Sequence, residues 1–261
     1  RILAEDADVG LLLLEDLGDD TYTRVLAAGG DEHRLYALAT DLLIDLHGKP
    51  AARALPADLA LYDERRLLDE ALLLTDWFMP AALGRETEAA CRAEYVAAWQ
   101  AALATVLEAP PTLVLRDFHV DNLIWLKPRG GLAACGLLDF QDALCGHRAY
   151  DLMSLIEDAR RDIAPELHAA MLRRYLDAFT DGDEMAFRRD FTILAAQRHA
   201  KVIGIFTRLW RRDAKPDYLV HIPRLWRLFE RALGEPALVP VAKWFSDYLP
   251  PDLRRRPDAE E

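Results

Sequence analysis

The stretch LVLRDFHVDNLIWL, residues 113–126, sets Arg116, Asp117, His119, Asp121 and Asn122 between two short apolar runs. A connector with neither Gly nor Pro that carries so many carboxylate, imidazole and amide groups invites a chemical use for its polar atoms. Asp117 and Asn122 stand in the spacing D-x-x-x-x-N, and Asp139 follows in LLDFQDA at the end of another apolar run. That set suits phosphoryl transfer, in which one carboxylate sits beside the attacking hydroxyl. An amide oxygen and a second carboxylate then hold magnesium against nucleotide phosphates. The plain alternative is turn chemistry, with Asp and Asn side chains bonding nearby backbone. The arginine before Asp117, the flanking apolar runs and the later DF segment favour the catalytic reading.

Such groups act together only if secondary structure holds them. TLVL (112–115) and NLIWL (122–126) read as strands on either side of the polar loop, KPRGG (127–131) as a turn and LAACGLLDF (132–140) as a third strand. The expectation is a small β-hairpin that gathers Asp117, Asn122 and Asp139 into one cleft. Earlier, VGLLLL (9–14) looks like a buried strand stopped by Glu15, Asp16 and Gly18. Helical spacing follows at Leu35, Leu38, Leu42, Leu43 and Leu46, with Gly48 and Pro50 as the stop. Residues 63–79 and 87–107 repeat the pattern, the latter ended by Pro110 and Pro111. Beyond residue 149 the reading is helical over 149–163, 165–179, 184–210 and 223–233, and the tail RRRPDAEE reads as solvated.

The chain has 261 residues, 52% of them hydrophobic, enough for a sizeable core. Forty-four acidic against 32 basic residues give a net charge of −12, which disfavours nucleic acid and anionic membranes as partners. Cys91, Cys135 and Cys145 form no CxxC pair and are odd in number, so neither a zinc site nor a disulfide framework is supported and a reduced, cytoplasmic setting fits. No apolar run approaches the roughly 18 residues of a membrane span.

LRDFHVDNLIWL, taken with GLLDFQDALCGHRAYDLMSLIEDARRD, YDERRLLDEALLLTDWF and AAQRHAKVIGIFTRLW, resembles the aminoglycoside phosphotransferase family of kinase-like small-molecule kinases. Within it the likeness is to bacterial cell-wall amino-sugar kinases. The resemblance implies an α+β, protein-kinase-like C-lobe, mostly helical with a small β-hairpin catalytic region. Residues 1–18 would be the end of an N-lobe and the hinge, and 19–261 the C-lobe with a helical substrate-binding subdomain. Asp117 is then the catalytic base, Asn122 and Asp139 are magnesium ligands, and Glu15 and Leu17 meet adenine through their main chains. Asp151 braces the loop, with a helix N-terminal charge as the alternative; His119 orders the loop, and Arg116 supports it.

The implied activity is ATP- and Mg²⁺-dependent phosphorylation of the anomeric hydroxyl of N-acetylmuramate and N-acetylglucosamine in peptidoglycan recycling, with no obligate protein partner. A different small alcohol or aminoglycoside as acceptor, or an inactive sugar-binding module, stays open. For the sugar, Gln197, Lys201 and Arg208 share one side of a helix with Arg198 and His199 beside the first, although a polar stripe that meets water is the simpler reading. Family kinases carry an N-terminal sheet lobe with a phosphate-pairing lysine. Here no glycine-rich loop precedes residue 9 and the first lysine is Lys49. The expectation is a fragment from which that lobe is largely absent and which binds nucleotide poorly by itself.

Overall fold

The computed structural model describes residues 1–180 and 182–257. Strands β1 (Ile2–Asp6) and β2 (Leu11–Leu14) form an antiparallel ribbon whose turn uses Gly10 at φ 68°. Every leucine of the ribbon is more than half exposed, so VGLLLL is not the buried strand that its composition suggests. An apolar run states what a segment would bury, not whether a second layer meets it. Helix α1 (Tyr22–Ala27) is capped by Thr21, and α2 (Glu32–His47) by Asp31, whose carboxylate accepts the Arg34 amide at 3.0 Å. Leu35, Tyr36, Ala39 and Leu43 form the buried face of α2.

The short α3 (Ala51–Ala54) leads to α4 (Glu64–Ala71), a wide turn at Leu74–Phe78, α5 (Met79–Leu83) and α6 (Ala89–Leu103). The single helix expected over 63–79 is therefore interrupted. The interruption lies where the Leu73 backbone presses on a later helix at Gly204, where any Cβ would collide with it.

Four three-residue strands follow: β3 (Thr112–Val114), β4 (Leu123–Trp125), β5 (Cys135–Leu137) and β6 (Leu144–Gly146). The β4–β5 hairpin matches the expectation, with Ile124 opposite Gly136. The first strand does not join it. β3 pairs with β6 instead, Leu113 opposite Cys145, so residues 115–122 pass from one two-stranded sheet to another. Arg116 at φ 70° and the tight turn Val120–Asn122 redirect the chain before β4 and rule out a simple hairpin return.

The rest is helical: α7 (Ala149–Ile156), α8 (Pro165–Asp177), α9 (Glu184–Asp213), α10 (Ile222–Ala232) and α11 (Val239–Tyr248). α7 stops well short of residue 163 because Glu157 leaves helical geometry and the Asp158 side chain captures the Arg160 amide at 2.8 Å. α9, capped by Asp183 and ended by left-handed Ala214, packs against α4, α7 and α10. Cys91, Cys135 and Cys145 are buried free thiols. Among the described residues no helix is long and apolar enough to cross a membrane. Residues 258–261 of the charged tail lie outside the described residues.

Candidate active site

The polar loop hangs on Asp151. This side chain, fully buried in the first turn of α7, accepts the Leu115 amide at 2.7 Å and the Arg116 amide at 2.9 Å. Those two bonds hold Arg116 in the left-handed region, which a residue with a Cβ rarely adopts. The Arg116 carbonyl in turn accepts Arg198 Nη1 at 3.2 Å and Ser154 Oγ at 3.4 Å. Backbone groups freed by the bend are thereby satisfied from two helices.

Burial pushes the Asp151 carboxyl up to about 7, against the pull of the two amides and Arg198. The folded protein therefore holds this proton more tightly than the unfolded chain, whose value is near 3.8. Stability linked to the proton is full below that value, lost as pH rises to about 7, and level above it. Asp151→Asn keeps one acceptor and turns an amide N–H₂ toward the second backbone N–H. At pH 4, where both side chains are neutral in the fold, the variant should lose about 1–3 kcal/mol in urea unfolding. That deficit should shrink as Asp151 loses its proton toward pH 7. A difference between wild type and Asp151→Asn that does not change over this window contradicts the assignment.

Asp117 faces a cleft of about 390 Å³ that also receives Asn122, Asp139, Arg198 and Lys201. Arg198 Nη2 lies 3.4 Å from Asp117 Oδ1. Burial raises the Asp117 carboxyl, but Arg198 first, then Lys201, His119 and Arg116, outweigh it and hold the group below the usual carboxylate range. It is ionised at neutral pH and able to accept a proton. Asn122 Nδ2 donates to the Asp117 carbonyl at 2.9 Å and reaches Asp139 Oδ2 at 3.5 Å. The Leu138 amide bonds the Asn122 carbonyl at 2.9 Å, which ties the loop to the strand leading into Asp139. Asp139 itself is left-handed, at φ 56°, with Gln141 Nε2 2.6 Å from Oδ1.

Asn122 thus turns its amide nitrogen to Asp139, and the two side chains together carry an amide oxygen and a carboxylate, both hard donors. That suits magnesium, which keeps several waters and takes one or two protein oxygens beside phosphate oxygens rather than a full protein cage. The described residues contain no cluster of three His, Cys, Asp or Glu side chains able to hold a metal by themselves.

The remaining expected residues divide. His119 is buried in the loop with Nδ1 unpartnered among the described residues, and burial lowers its pKa against the pull of Asp158, so it is neutral near pH 7. Asp121 accepts the Thr23 hydroxyl and so joins the loop to α1. Arg198 and Lys201 enter the cleft, whereas Gln197 and His199 do not. Gln197 is fully buried and donates to the Leu67 carbonyl at 2.8 Å; His199 turns to Glu157, Nε2 2.8 Å from Oε2. The face of α9 that meets the cleft is 198, 201, 202, 205 and 206, a 0, 3, 4, 7, 8 stripe rotated from the expected 197, 201, 208 line. Arg208 does not line the cleft.

Glu15 and Leu17 stand outside this cleft. Glu15 is paired with Arg129 at 2.5 Å, and Leu17 lies over Gly136 of β5. The Glu15 carbonyl and the Leu17 amide take no hydrogen bond among the described residues.

Sequence reasoning passed over Glu70. Its carboxylate, at the buried end of α4, accepts Arg116 Nη2 at 2.5 Å, Lys201 Nζ at 2.8 Å and the Tyr62 hydroxyl. Burial raises this carboxyl too, but Lys201, Tyr62 and Arg116 bring it below the ordinary value. The available signal was an acid flanked at helical spacing by Leu67, Ala71 and Leu74, on a face that should be apolar. Arg160 was also passed over, inside the charge run EDARRD.

Residues 1–190 match the model of the phosphotransferase enzyme family. An N-acetylmuramate/N-acetylglucosamine kinase of Caulobacter vibrioides is 41% identical, over 98% of this chain and 71% of its own length. A protein of the same description from Pseudomonas aeruginosa is 38% identical, over 90% of this chain and 68% of its own. Among solved structures, the GDP complex of aminoglycoside 2'-phosphotransferase-IIIa superposes with a TM-score of 0.54 at 15% identity, covering 89% of this chain and 74% of that one. The last likeness is one of fold, and it agrees with the kinase-like reading of the helical body and its paired short strands. With the family model spanning most of the chain and relatives this similar over nearly all of it, the chain belongs to the phosphotransferase enzyme family.

Proposed function

We propose that the protein transfers the γ-phosphoryl group of ATP to the anomeric hydroxyl of N-acetylmuramate and N-acetylglucosamine, in the reuse of cell-wall sugars. The observation that carries this reading is the convergence of ionised Asp117 with Asn122 and Asp139 in one cleft, in a chain whose relatives are named for these two sugars. Asp117 accepts the proton of the sugar hydroxyl as its oxygen bonds to the γ-phosphorus. The bond from that phosphorus to the bridging oxygen breaks, and ADP leaves with the electron pair. Arg198, anchored on Tyr150 Oη at 3.1 Å and on the Arg116 carbonyl, fixes the Asp117 carboxylate toward the acceptor. Asn122 and Asp139 would hold magnesium, which when bound offsets phosphate charge. The main chain at Glu15 and Leu17 is the proposed adenine contact, within a hinge that ends near residue 18; the rest of the chain forms the catalytic and sugar-binding lobe.

The test is phosphate transfer from ATP to N-acetylmuramate, N-acetylglucosamine, glucose, choline and kanamycin, with phosphorus and proton NMR of the products. Anomeric phosphates of the two N-acetyl sugars are expected. Turnover of choline or kanamycin with neither sugar accepted overturns the reading of the substrate while leaving the chemistry intact.

A further inference from the structure

We propose that Arg160 reads the lactyl carboxylate by which N-acetylmuramate differs from N-acetylglucosamine, and so sets the preference between the two sugars; this rests on the acceptors proposed above. Among the described residues three cations line the cleft: Arg160, Arg198 and Lys201. Two are committed. Arg198 spends its guanidinium on the Arg116 carbonyl, Tyr150 and Asp117, and Lys201 sits 2.8 Å from the buried Glu70 carboxylate. Both side chains are more than nine-tenths buried.

Arg160 is different. Its side chain remains 35% exposed, and its nearest acid, Asp121, is 4.0 Å away with the other carboxylate oxygen already accepting the Thr23 hydroxyl. The guanidinium lies over the Phe206 ring, 5.6 Å from its centroid, which fixes the plane of the fork without consuming its N–H donors. The Asp158 carboxylate pins the backbone at the same residue, through the Arg160 amide at 2.8 Å. A planar, pre-oriented and uncommitted fork is what two-point recognition of a carboxylate requires.

Position agrees with this role. Arg160, His119 and Asp117 line the same cleft. A sugar whose anomeric oxygen meets Asp117 must extend its other substituents along the cleft walls. N-acetylglucosamine carries a hydroxyl where N-acetylmuramate carries the lactyl ether, so it has no anion to offer Arg160.

The test is the ratio of kcat/KM for N-acetylmuramate to kcat/KM for N-acetylglucosamine, in which any effect of a substitution on folding or on chemistry common to both sugars cancels. Arg160→Gln should lower the ratio about ten- to hundredfold. Arg160→Lys, which keeps the charge but loses the fork, should fall between the wild type and Arg160→Gln. N-acetylmuramate methyl ester, which lacks the charge, should lose activity with the wild type and little further with Arg160→Gln. A ratio unchanged within about twofold in Arg160→Gln overturns the inference. Equal losses for the free acid and the methyl ester overturn it as well. If the wild type phosphorylates neither sugar, the proposed acceptors fall first and this inference falls with them.

Discussion

Asp117→Asn should lower kcat about 10²–10⁴-fold while ATP affinity, measured by calorimetry, stays close to that of the wild type. The amide preserves the shape of the side chain and can still accept from Arg198, which lies 3.4 Å from Oδ1. It cannot take the proton of the attacking hydroxyl. The Asp117 carbonyl that accepts Asn122 Nδ2 belongs to the backbone, so the link to Asn122 survives the substitution. This separates loss of proton acceptance from collapse of the loop. Since Arg198, Lys201, His119 and Arg116 together hold the carboxyl below its ordinary range, ionisation of Asp117 should not limit the rate anywhere near neutral pH. Turnover near that of the wild type in Asp117→Asn removes Asp117 from the mechanism.

Glu70→Ala should cost about 3–5 kcal/mol of unfolding free energy, read as a shift of the urea midpoint at constant slope. The carboxylate is the shared partner of Arg116 and Lys201, and all three side chains are largely withdrawn from water. Its removal leaves two cations facing each other across a low-dielectric gap, with the Tyr62 hydroxyl deprived of its acceptor. Activity should fall with stability, because Arg116 is the left-handed residue directly before Asp117. Glu70→Gln, which retains an acceptor for Tyr62, should lose less. A loss below about 1 kcal/mol in Glu70→Ala would show that water or rearranged partners neutralise the two cations.

The candidate centre was legible because its residues lie close along the chain. Asp117 and Asn122 sit on one connector, Asp139 follows one hairpin later, and a strand–turn–strand pattern is enough to bring such neighbours together. The brace at Asp151 was read as an implication of resemblance, and the two amide bonds it receives are the physical content of that role. The helices were legible where an apolar stripe ran to a cap or breaker, as in α2 between Asp31 and Gly48. They were misread where a side chain ended the helix early, as Asp158 does by capturing the Arg160 amide.

By itself, then, the sequence determined the family and the amphipathic helices and marked the candidate set for chemistry, all of which depend on short-range spacing. Tertiary structure alone decided which face of α9 meets the cleft, bringing in Arg198 and Lys201 and sending Gln197 to the Leu67 carbonyl and His199 to Glu157. It also decided that β3 pairs with β6, that the leucines of β2 stay exposed, and that Glu70 joins Arg116 to Lys201. The physical reason is common to these cases. Periodicity along a chain fixes which residues share a face, but the partner of that face is chosen by packing between distant segments, and a one-residue rotation of a helix moves each side chain by about 100°. A charge embedded in a run of charges carries no mark of whether it is committed, and only the positions of Glu70, Asp117 and Asp121 show that Arg160 is, among the described residues, the least committed of the cleft cations.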